Sequence, residues 1–416
     1  MRSMSSLLLF IALAARAAAQ TPADQLLADV RHLADDRLEG RLTGTPGADS
    51  AAAYVARRFA EAGLAPATGG WFQDFVVSPD APAARHAPVA GARGRNVIGV
   101  LRGSDPRLRD EALVVGAHYD HLGRGGAFAL DPDSTGAVHN GADDNASGTA
   151  ALIDIARRLV RRPPARSVIF IAFGGEELGL LGSAHYVREA GNPARLAAML
   201  NLDMVGRLRH DRLVVYGTGT ATEFPALLDS LNRNAKFELA VRPDGYGPSD
   251  QSSFYAAGVP VLHFFTNVHE DYHRSTDDWE RIDPAGLERV AAFTADVAAA
   301  VANRPARLTY VALPVTAHGG SATGTGGYGA YLGTVPDMSG TGSGVRLAGV
   351  RAGSPAETAG LRADDVITRI GDYEVPDLEA MTTALRSHKP GETVEIVVRR
   401  GDTLTTVTAT LGRRGG

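Results

Sequence analysis

The sequence predicts an α/β protein, a mostly parallel central sheet flanked by helices, followed by a small β-rich domain. Two observations carry that prediction. From about Thr21 to Arg304, short apolar runs rich in β-branched residues alternate with helix-patterned stretches, the pattern that builds parallel sheets with helical crossovers. After a stretch rich in Gly, Thr and Ser, Thr316 to Gly329, the pattern turns β-rich with one helical segment.

Taken in order, "MRSMSSLLLFIALAARAAAQ" joins Arg2, a short apolar core from Leu7 to Ala15, and the small residues Ala17-Ala18-Ala19. This is a secretory signal over residues 1–19, and it predicts export to periplasm or medium. "PGADSAAAYVARRFAEAGL" is helical, with Ala52, Val55, Phe59 and Ala62 on one face. "EALVVGAHYD" is a short buried-type strand. "TAALIDIARRLVRRPP" carries Leu152, Ile155 and Leu159 on one stripe and stops at Pro163-Pro164. "SVIFIAF", "AAMLNLD", "RLVVYG" and "VPVLHFF" are further strands. The organisation predicted is a domain over 20–304, a linker over 305–327 and a β-rich domain over 328–414, with a helix near Leu378 to Ser387. The hairpin "TVEIVVRRGDTLTTVTATL" turns near Gly401-Asp402.

Composition narrows the chemistry. A chain of 416 residues suits two or three domains. A net charge of −5 without a basic block argues against a nucleic-acid partner. No segment past the leader reaches the roughly 18 apolar residues of a membrane span. There is no cysteine, which leaves His, Asp and Glu for any metal site.

In open sheets ligands bind at the carboxyl ends of strands, so the residues ending each apolar run matter most. "LVVGA" ends in His118-Tyr119-Asp120, "VIFIAFGG" in Glu176-Glu177, and "AMLNL" in Asp203. "VLHFFTN" is followed by "VHEDYHRSTDD", with His269 and His273. "HNGADDNASG", His139 to Gly148, sets Asp143 beside Asp144 just before an apolar helix. One reading is a solvated turn with an Asx-type cap; the other is a cation. Buried unpaired carboxylates cost several kcal/mol apiece, and two divalent ions balance three or four of them. Nitrogen and oxygen donors without thiolate suit catalytic zinc, ahead of manganese or cobalt.

The ordered motifs "GAHYDH", "NGADDNASG", "FGGEELGLLGS", "LNLDMVGR", "SDQSSF" and "YHRSTDD" resemble the di-zinc aminopeptidases of the aminopeptidase Y and aminopeptidase S type, relatives of the glutamate carboxypeptidases. The likeness extends upstream through "LADDRLEGRLTGTPG" and "NVIGVLRG", and covers roughly Leu27 to Arg304. It implies the phosphorylase/hydrolase-like fold of zinc exopeptidases and two Zn2+ per chain. One ion falls to His118, Asp144 and Asp203, the other to Asp144, Glu177 and His273, with Asp144 bridging. Asp143 then serves the loop as a turn or cap acceptor. Asp120 accepts from the other ring nitrogen of His118, and Asp277 is placed to do the same for His273. His269 is a competing ligand, without the Y-H-x-x-x-D context of His273. Glu176 is the general base, and Tyr246 sits where the family places a phenol facing the oxyanion. The family commonly has S-D-H where this chain reads Ser249-Asp250-Gln251.

The C-terminal domain resembles a PDZ domain. "GAYLGTVPD" is similar to its carboxylate-binding loop, which implies backbone N–H groups near Tyr331, Leu332 and Gly333 for a peptide's C-terminus; "VRAGSPAETAGLRADDVITRIGDYEV" carries most of the likeness. The expectation is a zinc-dependent aminopeptidase acting on peptides or proteins. The alternatives are a carboxypeptidase or dipeptidase of the same group, a one-zinc glutaminyl cyclase, and a catalytically inactive peptide-binding scaffold.

Overall fold

The structure, a computed structural model, describes residues 21–77, 89–125, 129–131, 134, 136–190, 192–247, 249–313, 330–336, 344–350, 353–376 and 378–412. The leader over 1–19 and the stretch Thr316 to Gly329 lie outside the described residues.

The first helices are bounded by their own sequence. In α1 (Pro22–Leu33) Thr21 and Asp24 form a reciprocal capping box. In α2 (Pro46–Ala62) Thr45 caps the start and Gly63, in the left-handed region, ends it. Three strands follow, β1 (Ala65–Pro66), β2 (Phe72–Val76) and β3 (Arg93–Leu101). Then come β4 (Ala112–His118), α3 (Gly148–Val160), β5 (Ser167–Phe173), α4 (Leu181–Glu189) and β6 (Leu196–Leu202). The domain finishes with β7 (Arg212–Tyr216), α5 (Phe224–Ala235), β8 (Glu238–Val241), α6 (Gln251–Ala256), β9 (Val261–Phe265) and α7 (Pro284–Ala302).

The strands form one sheet in the order β1-β3-β5-β4-β6-β9-β7-β8, with β2 also on β3. The centre, β5-β4-β6-β9, is parallel. Its edges are antiparallel, β3 against β5 and β7 against β9. The sheet is therefore more mixed than the apolar runs alone suggest. β1, β2 and β3 follow one another without a helical crossover, and such connections pair strands antiparallel.

Central strands are buried on both faces, which is why they read as apolar runs without alternation. From β4, Leu113 and Val115 share one buried cluster with Val30 of α1, Phe59 of α2, Ile155 of α3, Leu228 of α5 and Val290 of α7. Val114 points the other way, with Ile171, Met199 and Val261, against Tyr186 of α4 and Phe254 of α6. The result is helices on both faces of the sheet. Because β5 and β6 lie on opposite sides of β4, the chain reverses its winding there, and a crevice opens at the carboxyl ends.

The C-terminal domain has its own core around Leu347, Ile367, Ile370, Ile396 and Val398. Its strands are β10 (Thr334–Pro336), β11 (Val345–Val350), β12 (Val366–Ile370), β13 (Tyr373–Glu374), β14 (Thr393–Arg400) and β15 (Thr403–Thr410), with helices α8 (Pro355–Thr358) and α9 (Leu378–Ser387). They form a sheet in the order β10-β11-β12-β14-β15, with β13 on β12. The expected hairpin is β14–β15, and Gly401 at its turn has φ +59°.

Two expectations need correction. Residues 305–313, the first part of the linker expected over 305–327, are held by the first domain: the Val311 N–H donates to the Thr220 carbonyl at 2.9 Å, and the Thr309 N–H to Glu223 Oε2 at 3.0 Å. The Tyr331 N–H is already spent, donating to the Gly412 carbonyl at 2.8 Å in a bridge that ties the start of the domain to its end. Among the described residues the N–H groups of Leu332 and Gly333 have no such partner. No helix among them is long and apolar enough to cross a membrane.

Candidate metal centre

The carboxyl edge of the sheet gathers the residues at the ends of the apolar runs. His118 is the last residue of β4 and Asp203 the first after β6. Glu176 and Glu177 lie in the turn between β5 and α4, and His273 in the loop after β9. Asp144 arrives from the turn Ala142–Ser147 that feeds α3.

Their distances form two sets sharing one carboxylate. His118 Nε2 stands 3.3 Å from Asp144 Oδ1 and 3.4 Å from Asp203 Oδ1. His273 Nε2 stands 3.2 Å from Asp144 Oδ2 and 3.3 Å from Glu177 Oε2. Two donors at zinc bond lengths on a tetrahedral ion are about 3.3–3.4 Å apart, so all four separations fit shared ions. His118 Nε2 and Asp203 Oδ1 are buried with no hydrogen-bond partner, an arrangement that costs free energy unless something positive stands between them.

His121, which the sequence reading passed over, also reaches this cluster. It lies with Asp144 and Glu177 in a group able to hold an ion. Its Nδ1 is 2.7 Å from Glu177 Oε1 but 3.9 Å from Asp144 Oδ2. The short contact is a hydrogen bond, and the uneven pair fits a shared ion less well than the contacts of His273. His121 therefore orients Glu177.

Electrostatics give the same picture. Burial alone would lower His118 and His273, yet the carboxylates around them, Glu176 and Asp203 for the first and Glu177 and Asp144 for the second, hold both well above the ordinary histidine range. Burial pushes Asp144 and Glu177 upward, but the facing imidazoles win, leaving Asp144 well below the usual range and Glu177 at about 2. Glu176 goes the other way: burial, joined by the charges of Glu177, Asp203 and Asp250, pushes it well above the carboxylate range against the pull of His118. Such divergence among neighbouring carboxyls separates ligands from acid–base groups.

The loop carrying Asp144 explains the paired aspartates. Asp144 faces the histidines, while Asp143 turns away and accepts the Gly206 N–H at 2.7 Å. Its other oxygen is 3.1 Å from His269 Nε2, so His269 braces the loop and stands apart from both donor sets. Asn145 clamps the chain on both sides of Asp203, donating to the Leu202 carbonyl at 2.9 Å and accepting from the Met204 N–H at 3.2 Å. Gly148 lets α3 approach this closely, since a Cβ there would sit 2.6 Å from the Leu202 carbonyl oxygen.

Two assigned supports act differently from expectation. His118 Nδ1 is 3.2 Å from the Asp120 backbone carbonyl and 3.7 Å from its carboxylate, which instead accepts the Glu176 N–H at 3.2 Å. Asp277 spends its carboxylate on the backbone N–H groups of Asp143 and Asp144, within 3.2 Å. That geometry suits the start of a tight turn, where successive N–H groups converge on one acceptor.

Arg41, within the upstream stretch "LADDRLEGRLTGTPG", is a support to which the sequence assigned no role. It is 1% exposed, and its guanidinium donates to the carbonyls of Tyr119, Leu33, Asn140 and Gly141. One planar cation thus joins the loop after His118 to the loop before Asp143. Gln251 and Ser249 both accept from Asn201 of β6, at 3.2 and 2.9 Å. Tyr246 is half-buried and packs edge-on against Tyr255, ring centroids 4.8 Å apart.

Comparison with known proteins gives the class first. Residues 96–298 match the model of peptidase family M28, and residues 330–411 that of the PDZ domain. The chain is 32% identical over 206 residues to aminopeptidase YwaD of Bacillus subtilis, covering 47% of this chain and 42% of that one. Among solved structures it is similar to a zinc aminopeptidase from Bacillus subtilis, with a TM-score of 0.55, 18% identity, and 69% and 98% of the two chains covered. It is also similar to a Bacteroides thetaiotaomicron glutaminyl cyclase, with a TM-score of 0.53, 18% identity, and 67% and 97% covered. The chain spans about half the length of the first curated relatives it matches. One fold serves both reactions, so activity has to be argued from the site.

Proposed function

We propose that this chain is an exported, zinc-dependent aminopeptidase that hydrolyses the N-terminal bond of peptides or proteins with two zinc ions per chain. The observation that carries this reading is the pair of donor sets sharing Asp144. His118, Asp144 and Asp203 would hold one ion, and Asp144, Glu177 and His273 the other. A bridging carboxylate with a histidine on each side supports two ions over the single zinc of a cyclase. The aminopeptidase names of relatives and the family M28 match support the same reading.

When bound, the zinc pair supplies Lewis acidity that polarises a carbonyl and acidifies water. The remaining work belongs to the chain. Glu176, whose carboxyl already has a raised proton affinity, takes a proton from the attacking water and returns it to the leaving amine. Asp120 holds Glu176 through its backbone N–H, and His121 keeps Glu177 turned toward His273. Tyr246 stabilises the developing oxyanion by a hydrogen bond from its hydroxyl. In the PDZ domain, Leu332 and Gly333 offer N–H groups to a peptide's C-terminal carboxylate, and the peptide adds as a strand on β10, which ends its sheet.

The test combines metal analysis with a substrate panel. Zinc-loaded full-length chain is expected to hold two ions and release N-terminal residues. Glu176→Gln is expected to keep both ions and lose about 10²–10⁴-fold in turnover. Release of C-terminal residues, or cyclisation with one ion, would replace the reading with a carboxypeptidase or a cyclase; two ions with no turnover on any substrate would leave a binding scaffold.

A further inference from the structure

We infer that the segment Thr309–Leu313, where the chain leaves the sheet domain, is a strap that positions Tyr246. This segment falls within the linker expected over 305–327. Instead it adds a short antiparallel ladder to the turn after β7: the Thr222 N–H donates to the Thr309 carbonyl at 3.2 Å, the Val311 N–H to the Thr220 carbonyl at 2.9 Å, and Tyr310 bridges Ala221 between them. Thr309 is also anchored by its side chain, 3.1 Å from Glu223 Oε1.

The turn thus gripped is bonded on its other side to the loop that presents Tyr246. The N–H groups of Gly217, Thr218 and Gly219 donate to the carbonyls of Asp244, Arg242 and Pro243 at 2.7, 3.0 and 3.0 Å. Asp244 Oδ1 in turn accepts the Tyr246 N–H at 2.8 Å. Strap, turn and loop form one continuous hydrogen-bonded strip.

A second route runs through aromatic rings. The Tyr310 ring lies 5.8 Å from that of Tyr255, which meets the Tyr246 ring edge-on at 4.8 Å and 77°. Such tilted and edge-on pairs have directional preferences, so displacing one ring shifts the next. The Leu313 N–H donates to the Tyr255 hydroxyl at 2.8 Å, fixing the middle ring from the strap side. Gly245 leaves no slack, because a Cβ there would lie 2.6 Å from the Tyr255 ring.

The inference rests on Tyr246 facing the oxyanion, and the test separates the two ideas. In the full chain, kcat and KM are measured on a dipeptide-sized substrate for Tyr310→Ala, Tyr310→Phe, Tyr246→Phe and the Tyr246→Phe/Tyr310→Ala pair, with zinc content and melting alongside. Tyr310→Ala is expected to lower kcat about tenfold through misplacement, with KM and zinc content unchanged, while Tyr310→Phe keeps most of the rate. In the Tyr246→Phe background, Tyr310→Ala is expected to cost nothing further, the signature of two residues acting as one unit. If Tyr310→Ala melts early, Tyr310→Leu, closer in volume, takes its place in the cycle. A Tyr246→Phe variant with full turnover overturns the role of Tyr246 and the strap with it. A Tyr246→Phe loss beside an unchanged Tyr310→Ala kcat, or losses that simply add in the double variant, overturns the strap alone.

Discussion

Two loops of this chain are marked by the sequence as collectors of charge, and they are held in opposite ways. His139–Gly148 presents the Asp144 carboxylate toward His118 and His273, and its side chains are laced to neighbours: Asp143 to Gly206, Asn145 to both flanks of Asp203, Ser147 to the Val205 N–H. Ala330–Gly333, proposed to offer backbone N–H groups to a peptide carboxylate, depends instead on which of them are already bonded; Tyr331 has lost its N–H to Gly412. A cation site made of side chains needs a second set of side chains to aim the first. An anion site made of backbone needs only unspent donors and the right φ.

The comparison breaks most visibly at Asp144. Asp144→Ala is expected to empty both metal positions together and abolish turnover, because one carboxylate serves both donor sets. Zinc analysis after dialysis checks it; retention of one ion would mean that the carboxylate is not shared.

The next effect concerns the lacing. Asn145→Ala strands the Met204 N–H and the Leu202 carbonyl, and Asp143→Ala strands the Gly206 N–H, all in buried backbone. Each is expected to cost about 1–3 kcal/mol of stability in denaturant melts. Asp143→Ala should keep both ions, whereas Asn145→Ala should loosen the ion beside Asp203. Equal metal affinity in both variants would deny that the lacing aims the ligands.

A pH series sharpens the cation side. His118 and His273 are raised in the fold, so in the metal-free chain their contribution is fully present below the unfolded histidine pKa of about 6.5 and is lost as pH rises through the raised values. Asp144 and Glu177 are lowered, so their contribution is present above the unfolded carboxylate pKa of about 4 and is lost as pH falls through the lowered values. Protons and zinc compete for the two histidines. The rise in melting temperature on adding zinc is therefore expected to be small near pH 6 and to grow steadily toward pH 8; an increment independent of pH would remove the histidines from the site.

The smallest effect on catalysis belongs to the second loop. Gly333 has φ +85°, and a Cβ there would lie 2.3 Å from Ser354 Cβ. Gly333→Val is expected to abolish binding of a peptide with a free C-terminus while dipeptide turnover stays within about twofold, since the donor sets are untouched and distant sites act independently. A binding assay on amidated and free-acid peptides checks it.

Much of this is legible in the sequence alone. Each apolar run is a strand, and the parallel central strands deliver their carboxyl ends to one edge, so reading the residue after each of those runs located His118, Glu176, Glu177 and Asp203. The hairpin at Gly401-Asp402 and the helix Leu378–Ser387 were equally legible, because turn chemistry and periodicity are local. What the tertiary structure alone decided is which groups support the ligands. Arg41 bonds carbonyls about a hundred residues away, at Asn140 and Gly141; Asp277 caps backbone at Asp143 and Asp144; His121 meets Glu177; and Tyr310 meets Tyr255. None has a sequence signature, because a hydrogen bond to a carbonyl or the edge of a ring asks only for reach and direction, and these are set once the loops stand side by side. Residue type and order name the chemistry that a strand end can carry, while its aim comes from contacts that exist only after the sheet has closed the distance.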